Sequence, residues 1–349
     1  MNNLVSDRTL TASLKVVHGD PRAGNINLFA IIKDEMYYLP AFVDHYRKLG
    51  VDKFFIFDDR STDGSLEFLR QQPDCVVLHS DFTYGQQVEL RGRWRFYRTR
   101  RARAGVEFKR LIPQMFSKGR WCVYADADEF LLLPHAFENL REYTAAFDRE
   151  NIRLTLSTMT DFYPCNVESL YEKSAIPKNF DDLIRISPFF DNVKGLNFDD
   201  KGQVYGVNLS VTKRLFLKYD IEKGSDVEML HRQFEGIVDK EHTRGGKKVT
   251  LIKPDNTVFL RGSHSASVAP PTDRLNCIAH FKFTPDLPRR IALALETKAW
   301  AHGSSKYDKL QKLLETMRYE NGSFLSNHSI RFEEPSQLEA CGRIICPSK

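Results

Sequence analysis

In the stretch WCVYADADEFLLLP, Trp121 to Pro134, three carboxylates, Asp126, Asp128 and Glu129, interrupt what otherwise reads as a buried strand. Charge at the edge of a core is costly unless something neutralises it. Two carboxylates one residue apart, just past a strand, can both reach one hard cation where the chain turns. Mg²⁺ and Mn²⁺ favour oxygen ligands, and Mg²⁺ is commonly held by one or two carboxylates together with substrate phosphates. A lone D-x-D more often caps a helix or faces water. Here a second acidic pair, Asp58 and Asp59, ends the run DKFFIFDD. Turn chemistry in DDRSTDG offers Asp58 and Asp63 an ordinary role, because Asp and Ser bond their own backbone there. That role is adopted for Asp63.

The metal reading holds only if both acidic pairs open onto one rim, so the elements around them decide. INLFAII is a short continuous apolar run, suited to a strand buried on both faces. Tyr38, Leu39, Phe42, Val43, Tyr46 and Leu49 recur at helical spacing and stop at Gly50. DKFFIFDD reads as a second strand, RSTDGSLEFLRQQ as a helix with Ser and Asp as N-caps, and CVVLHS as a third strand. A long helix is expected from about Tyr84 to Phe116, then a fourth strand over RWCVYADADEF. This alternation predicts a parallel sheet with helices on its faces, whose ligands bind beyond the carboxyl ends of the strands. Both acidic pairs would then face the same rim.

Downstream, NIRLTLSTMTDFYP and KKVTLIK read as strands, NFDDLIRISPFFDNVKGLNFDDKG as loop-rich, and residues 288–318 as helical. The expected fold is α/β: a Rossmann-like, mostly parallel sheet flanked by helices, with a mixed α+β half and C-terminal helices. Its parts are an N-terminal arm (1–25), a first half (26–135), a second half (136–287) and a helical segment (288–349), with no cut into independent domains.

The chain has 349 residues, 42% hydrophobic and 12% aromatic, which indicates a globular protein. Its formal net charge of +5 suits anionic ligands and does not by itself indicate nucleic acid. The six cysteines contain no C-x-x-C, which argues against zinc and against a disulfide framework; a Cys341–Cys346 bridge stays open. The N-terminus lacks the apolar core of a secretory signal, and no window approaches the ~18 apolar residues of a membrane helix. A cytoplasmic protein is expected.

FAIIKDEMYYLPAFVDHYRKLGVDKFFIFDDRSTDGSLEFL followed by WCVYADADEFLLLP resembles the donor-binding half of glycosyltransferase family 2 over residues 27–134. The likeness is to the branch with an RNE…DxStDgt…DvDEF pattern, with Lys33-Asp34-Glu35 here in place of Arg-Asn-Glu. The resemblance implies a GT-A fold and transfer of a sugar from a UDP- or GDP-sugar to a hydroxyl of a cell-surface glycan or glycolipid, with Mn²⁺ or Mg²⁺ and inversion. By the same resemblance, Lys33 and Glu35 contact the nucleoside and Asp59 accepts from a nucleobase N–H. Asp126 sits by the ribose and metal, and Asp128 ligates the metal. KKVTLIKPDNTVFLRGSHSAS and NCIAHFKF are similar to the branch's later block. They suggest His280, ahead of His264, as the third ligand and Lys282 as a diphosphate contact. Asp161, Glu235 and Asp239 are base candidates that nothing local separates.

LRGRWRFYRTRRARAGVEFKR carries eight arginines between Arg91 and Arg110. A solvated basic face is as good an account as any specific role. The resemblance implies that this segment lies beside the donor, where one or two of these arginines would meet the diphosphate, with Gln86, Gln87 and Arg98 as unranked candidates. No nucleic-acid partner is expected, and peripheral association with the inner face of a membrane is compatible. A haloacid-dehalogenase-type phosphatase would carry its D-x-D on the first strand, not the fourth. A non-catalytic basic module would keep salt-dependent binding without Asp128.

Overall fold

The computed structural model describes residues 4–90, 99–208, 210–221, 238–239, 246–297 and 305–346. The chain opens with β1 (Leu4–Val5), α1 (Asp7–Ser13) and β2 (Lys15–His18), so residues 4–18 carry regular structure where the polar composition suggests a loose arm. Ser6 caps α1 by accepting from the Thr9 N–H, and Leu10 is fully buried. Next come β3 (Ile26–Ile32), α2 (Leu39–Lys48), β4 (Lys53–Asp58), α3 (Ser65–Arg70) and β5 (Cys75–His79), in the expected alternation. Along β3 and β4, Leu28, Ala30, Phe54 and Ile56 pack into one core cluster, while Phe29, Phe55 and Phe57 pack into the other. That is the period of two of strands buried on both faces. α2 buries Leu39, Phe42, Val43 and Tyr46 and gives way to Gly50 at φ 95°, a left-handed position that glycine adopts without strain.

The expected long helix from Tyr84 is not formed. β6 (Gln87–Leu90) pairs antiparallel with β7 (Arg100–Arg103), and α4 (Ala104–Phe116) begins only at Ala104. Val88 and Leu90 are buried, so the alternation Gln-Val-Glu-Leu is the strand signal that the surrounding arginines obscured. The single expected strand over RWCVYADADEF is likewise two, β8 (Trp121–Tyr124) and β9 (Glu129–Leu132).

The second half contains α5 (Leu140–Arg149), β10 (Leu154–Asp161), α6 (Phe180–Ile186), β11 (Phe189–Asp191), β12 (Leu196–Phe198), β13 (Val204–Asn208), α7 (Val211–Lys218), β14 (Val238–Asp239), β15 (Lys247–Ile252) and β16 (Leu275–His280). α6, β11 and β12 occupy the segment expected to be loop-rich. α8 (Leu287–Thr297), α9 (Ser305–Tyr319), β17 (Ser329–Arg331) and α10 (Ser336–Ala340) complete the described chain.

The central sheet has nine strands in the order β2-β5-β4-β3-β8-β15-β10-β16-β9. β5, β4, β3 and β8 run parallel, as do β10 and β16, while β2, β15 and β9 run against their neighbours. The result is a mixed α/β architecture with a large, mostly parallel sheet, flanking helices and small antiparallel sheets, compatible with the GT-A expectation. β8 and β9, consecutive in sequence, are held apart by β15, β10 and β16. The five-residue step from Tyr124 to Glu129 therefore crosses the ends of three strands. The six cysteines form no disulfide, Cys341 and Cys346 included. Among the described residues no helix is long and apolar enough to cross a membrane.

Candidate functional site

Loops and strand ends around β3, β4, β8 and β16 enclose a cavity of about 1080 Å³. Two groups of side chains line it. The first is gathered by β4. Asp59 donates its N–H to the Ile32 carbonyl at 2.8 Å, which fixes it beside β3. Its Oδ2 accepts from the Tyr84 N–H at 3.0 Å, and Lys33 Nζ donates to its carbonyl at 3.3 Å. Burial raises the Asp59 carboxyl above its ordinary pKa. Tyr84 is held against Gly105 so closely that a Cβ there would meet its ring at 2.0 Å. The neighbouring Asp58 instead pairs with His79 Nε2 at 3.0 Å and accepts from the Ser61 N–H. Asp63 accepts from the N–H groups of Ser65 and Met36. The turn explanation accounts for Asp63.

The crossing segment supplies the second group. It is pinned by Asp126 N–H to Glu129 Oε2 at 2.8 Å and by Phe281 N–H to the Asp128 carbonyl at 2.9 Å. Asp126 Oδ1 accepts from the Tyr124 hydroxyl at 2.9 Å, and Lys248 Nζ lies 3.4 Å from Oδ2. Lys248 is fully buried, hydrogen-bonded to Glu129 and 4.0 Å from the centre of the Tyr124 ring. Burial opposes its charge, but Asp126 and Glu129 hold its pKa above the ordinary value. Asp128 Oδ2 lies 2.7 Å from Arg290 and 3.6 Å from His280 Nε2. Burial opposes ionisation of Asp128, yet Arg290 and His280 hold it well below the usual carboxylate range. His280 Nδ1 lies 2.6 Å from Asp161 Oδ1, across the register of β10 and β16. Burial would discharge the imidazole, but Asp128 and Asp161 together push it up to about 10.

The sequence expectations fare unevenly in this geometry. Lys33, Glu35, Asp59, Gln86, Gln87, Asp126, Asp128 and His280 all line the cavity. Lys33 and Glu35 belong to different groups, however: Glu35 Oε1 lies 3.4 Å from Arg290, away from the Asp59 contacts. Lys282 does not line the cavity; its ammonium donates to Thr212 Oγ1 at 2.5 Å. His264 is likewise off the lining, with Nδ1 2.7 Å from the Lys247 carbonyl. Asp161 is spent on His280 and on the Val211 N–H. Arg98 and Glu235 lie outside the described residues, as does the side chain of Asp239, whose backbone pairs with Val207 in β14. Arg290, Lys248 and Tyr84 escaped the sequence reading. Only KKVTLIK, an apolar strand opening on lysines, carried a local hint, for Lys248.

Among the described residues no three His, Cys, Asp or Glu side chains are gathered as a metal cluster. Asp128 and His280 nonetheless offer an oxygen and a nitrogen to the same point in the cavity, a donor pair suited to a hard divalent ion completed by phosphate oxygens. Asp126 turns its carboxylate to Tyr124 and Lys248 instead.

No family model matches the chain, and no curated protein matches it in sequence. Among solved structures, the crystal structure of S. aureus TarS aligns at 12% identity over 44% of this chain, with a TM-score of 0.26. The chain covers 23% of that protein's length, and the match carries no information about activity.

The His280 proton has a consequence for stability in the metal-free protein. Because its folded pKa lies above the ordinary 6.5, its contribution is fully present below about pH 6.5 and is lost as pH rises through about 10. Denaturant unfolding at pH 7 and pH 10 should show wild type losing more stability than His280→Gln; equal losses would refute the assignment.

Proposed function

We propose that the chain is a metal-dependent glycosyltransferase that moves a sugar from a nucleotide-sugar donor to a hydroxyl of a cell-surface glycan or glycolipid. The observation that carries this reading is the meeting, in one cavity, of the Asp59–Lys33–Tyr84 group with the Asp128–His280–Arg290 group. The first offers a carboxylate at a strand end to a nucleobase N–H, as a UDP- or GDP-linked donor requires. The second would hold Mn²⁺ or Mg²⁺ through Asp128 and His280, and a bound ion would supply Lewis-acid stabilisation of the departing diphosphate. Asp161 fixes the imidazole so that Nε2 faces Asp128. Tyr84 and the crossing segment wall the cavity. The acceptor hydroxyl attacks from the face opposite the diphosphate, giving inversion, and its proton goes to a base in the second half of the chain, with Glu235 and Asp239 as candidates. A cytoplasmic placement, peripheral to the inner face of a membrane, fits a lipid-linked or surface-polysaccharide acceptor.

Calorimetric titration with UDP, GDP and CDP, each with and without Mn²⁺, tests this reading. One nucleotide should bind best and more tightly with the metal, and Asp59→Ala should weaken it roughly tenfold or more. Wild-type protein that binds none of the three ends it.

A further inference from the structure

Arg290 stands at the wall of the cavity in a way the reaction scheme above does not use. It comes from the first turn of α8, 162 residues from Asp128, and its NH1 donates to Asp128 Oδ2 at 2.7 Å. NH2 lies 3.4 Å from Glu35 Oε1, and the guanidinium sits 5.7 Å from the centre of the Tyr38 ring. The side chain is 19% exposed, and the cavity is the space it lines. Three features set it apart from a structural ion pair.

First, its partners on the wall are incompletely matched. Glu35 Oε2 is buried and has no hydrogen-bond partner among the described residues. The Glu35 contact is long for a charged pair, and burial pushes the Glu35 carboxyl up to about 8 despite the arginine beside it. Second, Asp128 Oδ2 is shared: His280 approaches the same oxygen that Arg290 holds. Third, guanidinium is planar and rich in N–H donors, and its geometry matches phosphate oxygens. The two contacts described use only NH1 and NH2.

We propose that Arg290 is a binding residue for the diphosphate of the donor, held in place by Asp128 and Glu35 until that anion arrives. The inference rests on the glycosyltransferase reading for the identity of the anion. It goes beyond that reading in assigning the contact to a residue of the C-terminal helical segment that the family pattern does not mark. Because a divalent ion held through Asp128 would draw on the carboxylate that Arg290 binds, the arginine would also compete with the metal for it. The two roles predict changes of opposite sign when the guanidinium is removed.

The test uses the full chain and Arg290→Gln, with inorganic pyrophosphate titrated by calorimetry and Mn²⁺ alone followed by electron paramagnetic resonance. Arg290→Gln should lose pyrophosphate affinity roughly tenfold to a hundredfold, as expected for a lost charge-assisted contact, while binding Mn²⁺ more tightly than wild type. An arginine that only pairs with Asp128 would also tighten metal binding when removed, but it would leave pyrophosphate affinity unchanged. Arg290→Lys, which keeps the charge but not the fork, should show a smaller change in the same directions, and it carries the test if the Gln variant does not fold. Pyrophosphate affinity within threefold of wild type in the variant that folds, Mn²⁺ binding no tighter, or no pyrophosphate binding by wild type overturns the proposal. If the pyrophosphate and Mn²⁺ results hold while UDP, GDP and CDP all fail to bind wild type, the anion role of Arg290 stands and the nucleotide reading falls.

Discussion

Lys248→Met should destabilise the protein by about 3–5 kcal/mol, the cost of leaving a buried ion-pair partner uncompensated. Lys248 has no exposed surface, and its ammonium is shared between Glu129 and Asp126 over the Tyr124 ring. Glu129 is itself 5% exposed, so water cannot replace the lost cation. Asp126 is different, since its side chain is 40% exposed and can be solvated from the cavity. Replacing both members of the tight pair, Lys248→Met with Glu129→Leu, should therefore recover most of the loss. Denaturant unfolding of the two single variants and the double variant measures this. A single Lys248→Met variant within about 1 kcal/mol of wild type would show that the lysine is not the counter-ion of this turn.

Asp128→Asn should lower transfer by roughly 10³-fold, about 4 kcal/mol of transition-state stabilisation. The substitution keeps the shape of the side chain and removes the charge that Arg290 and His280 both address. The nucleoside binding proposed for Asp59 should survive it, because Asp59 is held by Ile32, Lys33 and Tyr84 and not by Asp128. The measurement is nucleoside diphosphate release from a sugar nucleotide in the presence of Mn²⁺, with the response of each protein to added metal. Turnover within tenfold of wild type would take Asp128 out of the chemistry.

Much of the first half was legible because its strands are buried on both faces and written as unbroken apolar runs. INLFAII and KFFIF leave no other reading, and the residues at their ends, Lys33 and Asp59, lie on the rim as expected. Asp126 and Asp128 stand out by residue type and spacing and His280 by the family resemblance, and all three line the cavity. What the sequence hid falls into two kinds. One is local: helix-forming residues between 87 and 103 outweigh the alternation of Val88 and Leu90, so the sequence reads as helix where β6 and β7 pair. The other is long-range. Arg290 meets Asp128 across 162 residues, and Lys248 meets Glu129 across 119. Neither pairing leaves a trace in local periodicity, since burial of a charge is decided by partners that only the folded sheet assembles. Lys282 shows the converse. It lies two residues from His280, yet its side chain bonds Thr212 on α7 instead of lining the cavity.

The placement of β8 and β9 has a bearing on how the chain acquires its shape during synthesis. Strands from residues 154–161, 247–252 and 275–280 must slot between them before β9 finds its partner β16. Glu129 lacks a counter-ion until Lys248 has been made, and it lacks the pairing of β16 until about residue 280 has left the ribosome. Such distant contacts are slow to close. The nascent first half thus carries an open sheet margin and an acidic segment short of its partners for the time it takes to make roughly 150 more residues, about eight to thirty seconds at ~5–20 residues per second.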